Sequence, residues 1–128
     1  MPILLAEHTK RVMFGLWCLT WLMVLMVSLR PMPELAVNLS DKWLHFVTYA
    51  VMTAAVAGFC HRPAGVLRWA AFAALIGGLV ELGQHFTPSR TMELGDFLAD
   101  LGGVACGLLL AALWLARVVR PLRRAAVA

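Results

Sequence analysis

Four long apolar stretches, residues 12–29, 43–60, 66–86 and 97–116, occupy most of this 128-residue chain and dictate its fold class. Each runs to about 18–21 residues, enough at ~1.5 Å of rise per helical residue to cover a hydrocarbon core of ~30 Å. Apolar residues make up 62% of the sequence and mean hydropathy is +0.81, so a water-soluble bundle would have almost no polar face to present. The expected fold is all-α: a four-transmembrane-helix bundle with antiparallel neighbouring helices, built as a single domain over residues 1–128. Lys10 and Arg11 precede the first stretch as they would a signal peptide. Its core is too long for one, and Met26-Val27-Ser28-Leu29-Arg30 lacks a small-x-small cleavage pattern, so a retained first helix is expected.

The basic residues suggest an orientation. With the N-terminus inside, Lys10, Arg11, Arg62, Arg68, Arg117, Arg120, Arg123 and Arg124 are cytoplasmic, and only Arg30, Lys42 and Arg90 lie outside. The positive-inside rule then favours an N-in/C-in arrangement. The net charge of +4 follows from that topology, and the C-terminal arginines are expected to meet anionic lipid headgroups rather than nucleic acid. Cys18, Cys60 and Cys106 are odd in number, unclustered and embedded in apolar sequence, so neither a disulfide framework nor a zinc motif is expected.

Local signals mark the connections. Pro31 and Pro33 stop the first helix, and the segment from there to Ser40 is the longest loop, within which residues 35–39 suit a membrane surface. Ser40 stands where a helix N-cap belongs, with Asp41 in the first turn. His61-Arg62-Pro63-Ala64-Gly65 is a tight turn, and Thr87-Pro88 ends the third helix. A faint repeat links Leu39-x-Asp41-x-x-x-His45 with Leu94-x-Asp96-x-x-x-Asp100, too short to carry an argument.

Charge is concentrated at one end of these helices. Six of the seven acidic residues (Glu34, Asp41, Glu81, Glu93, Asp96 and Asp100) gather there with His45 and His85. A charged side chain at mid-helix costs roughly 2.5–3.5 kcal/mol on insertion scales, so intramembrane acids are by default functional candidates. Helical spacing aligns Asp41, His45, Thr48 and Met52 on one stripe, with Tyr49 beside it. Gly77, Gly78, Glu81, Gln84 and His85 share a second face, and Asp96, Asp100, Gly103 and Gly107 a third. Gly103-x-x-x-Gly107 is a small-xxx-small pattern that admits a neighbouring backbone. His45, Glu81 and Asp100 are expected to converge at one depth, with Asp41, Lys42, Arg90 and Asp96 as a rim nearer the water.

At these residues the chain resembles the VanZ-like family of bacterial membrane proteins. The matching pieces are Asp41-Lys42-x-x-His45-Phe46-x-x-Tyr49, Glu81-x-x-Gln84, Arg90 and Asp96-x-x-x-Asp100-x-x-Gly103, spanning about residues 41–107. Many family members carry Asn where Asp100 stands. The family takes its name from a protein that raises tolerance to a teicoplanin-type lipoglycopeptide, so the resemblance implies a task at the cell envelope, in the bacterial cytoplasmic (inner) membrane.

The candidate ligand-binding residues are Asp41, Lys42, His45, Tyr49, Glu81, Gln84, Arg90, Asp96 and Asp100. One expectation is an outward-facing pocket that binds a lipid-linked envelope precursor headgroup or a lipopeptide, with Arg90 and Lys42 meeting negative charge. Membrane lipids are then partners, and transport by so few helices would need a homo-oligomer. A second is an intramembrane enzyme with His45 or Glu81 as general base; no serine, cysteine or threonine nucleophile stands in the cluster. A third is a purely structural belt that locks the helices together. No cofactor is expected, and although a His45/His85/carboxylate metal site is geometrically open, no His-Glu-x-x-His pattern supports one.

Overall fold

The computed structural model describes residues 2–31, 39–88, 90 and 92–119, and among them helix is the one kind of regular structure. The helices are α1 (Pro2–Ser28), α2 (Leu39–Phe59), α3 (Pro63–His85) and α4 (Leu94–Trp114), the last continuing into a π-helical turn over Leu115–Val119. Proline at the first position of α1 and of α3 suits a helix start, because the missing N–H has no intrahelical partner there. Nothing between Pro2 and the first apolar stretch breaks a helix, so α1 begins well ahead of residue 12 and carries a Glu7–Lys10 pair at 2.6 Å. Ser40 lies inside α2, one residue past its start, rather than at the expected cap. The surface segment at 35–38, Glu34 and the three C-terminal arginines Arg120, Arg123 and Arg124 lie outside the described residues.

Three helical segments, Glu7–Ser28, Pro63–His85 and Leu94–Val119, are long and apolar enough to cross a membrane. The fourth expected span falls short of that mark. The outer turns of α2 hold Asp41, Lys42 and His45, and Thr48, Tyr49 and Thr53 interrupt its apolar run.

The most extensive contact is between α2 and α4, and glycine makes it possible. A Cβ on Gly103 would collide with the backbone carbonyl of Phe46, and one on Gly107 would come within 2.5 Å of the Ala50 carbonyl and 3.0 Å of the Ala54 nitrogen. The two helices therefore touch backbone to backbone, as the Gly-x-x-x-Gly spacing implies. Successive contacts of Lys42 with Asp96, His45 with Asp100, Phe46 with Gly103 and Ala50 with Gly107 show that α2 and α4 run in the same direction. By the same logic α3 runs against α4, since Glu81 meets Glu93 while Gly77 meets Asp100.

Helix α1 leans on the others through one stripe, Trp17, Trp21, Val24 and Ser28, at intervals of three and four residues. The Trp17 indole donates to the Met52 carbonyl at 2.8 Å, and its ring stacks on Phe14 and meets Phe59 and Trp69 edge-to-face. That cluster closes one end of the bundle. The polar residues occupy the other, and the outer surface is apolar, with Leu16, Leu75 and Leu109 each about 60% exposed. Large exposed apolar side chains around a whole circumference suit lipid and not water.

Candidate functional site

Three helices bring their acids and one histidine together beneath the polar end. The His45 Nδ1–H donates to Oδ1 of Asp100 at 2.9 Å, linking α2 to α4. Asp100 is wholly buried and Glu81 is 1% exposed. Oε2 of Glu81 accepts from the backbone N–H of Glu93 at 3.2 Å, which ties α3 to the residue just before α4. The other oxygen of each carboxylate, Glu81 Oε1 and Asp100 Oδ2, is buried without a hydrogen-bond partner among the described residues, as is the Tyr49 hydroxyl. Gly77 lets α3 come close here: a Cβ would stand 2.9 Å from Asp100 Oδ2 and 3.3 Å from the Tyr49 ring.

Above this level lies a clamp. Lys42 donates to Glu93 at 2.6 Å and to Asp96 at 2.7 Å, and these two bonds hold its ammonium well above the usual lysine pKa. Lys42 precedes the apolar run that begins at Trp43, so it works at the water-facing edge. Lys42, expected on the rim facing a ligand's negative charge, is thus paired within its own chain. Two carboxylates of its own chain already neutralise it.

A cavity of about 260 Å³ opens between α1 and α2. Met23, Val24, Val27 and Leu44 supply its apolar wall, while Asp41, His45, Gln84 and Arg90 supply polar groups. Gln84 donates its amide N–H to the Ser28 carbonyl at 3.1 Å, pinning α3 to the end of α1. Arg90 is anchored by donation from Nε to the Arg30 carbonyl at 3.2 Å. Asp41 is half-buried, Asp96 is buried and Tyr49 stacks edge-on against Trp21.

The structure thus collects His45, Glu81, Asp100 and Tyr49 at the inner level, and Asp41, Gln84 and Arg90 around the cavity. Lys42 and Asp96 belong to the clamp. His85 points elsewhere: it is exposed and packs edge-on against Phe86, so the histidine pair considered for a metal is not assembled. Two other groups do have metal-like spacing, Asp41/His45/Asp96 and His45/Glu81/Asp100, each with ligand atoms within 4.8 Å of one another. Sequence reasoning missed the part played by Glu93, whose side chain and backbone both serve the site. Its membership of the outer acidic group was the available signal. The wall contributed by α1 had no signal, because Met23, Val24 and Val27 read as ordinary apolar sequence.

Compared with protein-family models, curated proteins and solved structures, the chain finds no match.

Proposed function

We propose that this chain is a VanZ-like, multi-pass protein of the bacterial cytoplasmic membrane. Its four helices all cross the bilayer, both termini inside, and its outward-facing pocket binds the headgroup of an envelope lipid or lipopeptide. The crossing of α2 is supported by its contact with α4, which it accompanies from Lys42 to Ala54. The orientation is supported by charge, since Lys10, Arg11, Arg62, Arg68 and Arg117 lie on the end opposite the clamp. Membership of the VanZ-like group rests on the Asp41–Tyr49, Glu81–Gln84, Arg90 and Asp96–Gly103 motifs.

The cavity carries the binding reading. It is amphipathic in the sense a lipid is: apolar side chains on one wall, and a cation, a carboxylate, an imidazole and an amide grouped near them. With Lys42 neutralised, Arg90 is the basic residue lining this space, and its forked guanidinium suits a phosphate or carboxylate. Protein in nanodiscs should bind anionic headgroups in preference to zwitterionic ones, and Arg90→Ala should weaken that binding by about tenfold, one hydrogen bond to a charged group being worth ~1.5–3 kcal/mol. Binding that ignores headgroup charge, or survives Arg90→Ala unchanged, would sink this reading.

The His45–Asp100 pair favours a second reading, an enzyme at the outer leaflet. A buried carboxylate that orients an imidazole is how a general base is commonly held, and here His45 also lines the cavity. Glu81, lying behind the cavity wall, would act through that pair. Under this reading Glu81→Gln and His45→Gln abolish turnover with headgroup binding intact. The clamp residues Lys42, Glu93 and Asp96 and the Gln84–Ser28 bond serve helix packing under either reading.

A further inference from the structure

We propose that His45, Glu81 and Asp100 form a site for a divalent transition-metal cation of the Zn²⁺ or Mn²⁺ class. The inference does not depend on what the cavity binds. One imidazole and two carboxylates, each from a different helix, present ligand atoms within 4.8 Å of one another. His45 Nδ1 and Asp100 Oδ1 lie 2.9 Å apart, so a cation entering there would take the place of the imidazole proton that now bridges them. Mixed nitrogen and carboxylate donors suit zinc, manganese and iron, and no thiolate stands in the set to select a softer ion.

The second observation is what these oxygens lack. Glu81 Oε1 and Asp100 Oδ2 belong to side chains 1% and 0% exposed, and neither has a partner among the described residues. Buried carboxylate oxygens are normally hydrogen-bonded, paired with a cation or bound to metal. The nearby ammonium, Lys42, is taken by Glu93 and Asp96. The Tyr49 hydroxyl, on a residue 2% exposed, likewise has no partner among the described residues, and its ring and Asp100 Oδ2 both lie beside Gly77. A divalent cation would neutralise both acids, and each carries an unpartnered oxygen that could serve as a ligand.

Charge also decides between the two overlapping groups. Asp96, in the outer one, is already neutralised by Lys42, and Asp41 is half-exposed to solvent. The inner group has only His45 to balance two buried acids. Of its three members His45 alone lines the cavity, so an ion there is approached past the imidazole ring.

The test uses the full chain, tag-free, purified in detergent, stripped with chelator and titrated with Zn²⁺ and separately with Mn²⁺. Elemental analysis should find one ion per chain, bound with micromolar or tighter affinity. Glu81→Gln and Asp100→Asn should each weaken binding by at least about tenfold, while Asp41→Asn changes it by less than about threefold. Failure of the untagged protein to retain stoichiometric metal overturns the proposal. So does strong loss in Asp41→Asn with Glu81→Gln unaffected, because the outer group would then be the site. Pulsed EPR of the Mn²⁺-loaded parent protein needs no variant to fold: coupling to one imidazole nitrogen is expected, and its absence refutes the assignment.

Discussion

Asp100 shows how much can turn on one buried oxygen. Its Oδ1 accepts from His45 while Oδ2 has no partner among the described residues, so half of the side chain is used and half is exposed to a low-dielectric interior. Asp100→Asn keeps an acceptor for the imidazole and removes a buried charge. In metal-free protein it should therefore melt at the same temperature as the parent or above it. Asp100→Leu removes the acceptor as well, leaves the imidazole N–H unsatisfied and should cost ~1–3 kcal/mol in detergent unfolding. Lys42 makes the complementary case at the water-facing edge. Its pKa lies above the ordinary lysine value because Asp96 and Glu93 hold the ammonium. The stability it contributes is complete below the ordinary lysine pKa and fades only as pH rises through the elevated one. Lys42→Met should lower the melting temperature at pH 7, and adding Asp96→Asn should restore part of the loss by removing the stranded carboxylate.

Among the elements, the pair α2 and α4 owes its intimacy to Gly103 and Gly107. Replacing either with alanine drives a methyl group into the backbone of α2, and the unfolding free energy should fall by ~1–3 kcal/mol. Gly15 in α1 is the internal control. A Cβ there meets nothing within 4 Å, so Gly15→Ala should be neutral or stabilise by ~0.5–1 kcal/mol through helix propensity alone. The sequence made this pairing legible, because a Gly-x-x-x-Gly pattern states both the spacing and the need for close approach. It also made legible the convergence of His45 and Asp100, since helical periodicity aims them inward and lipid penalises any other direction. Two things were hidden. Lys42 looked like a free cation because its partners Glu93 and Asp96 lie more than fifty residues away along the chain, and periodicity says nothing of contacts between helices. The status of α2 was hidden as well: its apolar content supports a span, but the same polar residues that build the site dilute it.

For the molecule as a whole, the proposed topology predicts an asymmetry that reporter fusions can read. Alkaline phosphatase joined after residue 31 or residue 90 should be active, whereas a fluorescent protein joined at the C-terminus or inserted at residue 62 should mature in the cytoplasm. The reverse pattern would turn the cavity toward the cytosol and remove the envelope lipid from consideration. The bundle is also unevenly fastened. The contact of α2 with α4 is backbone against backbone, while α1 is attached through one narrow stripe and yet forms a wall of the cavity. Heating should consequently detach the first helix before the remaining trio separates, giving a melting curve with two steps. A guest wedged against Met23 and Val27 would act as a strut, and its presence should be visible as a delay of the earlier step alone.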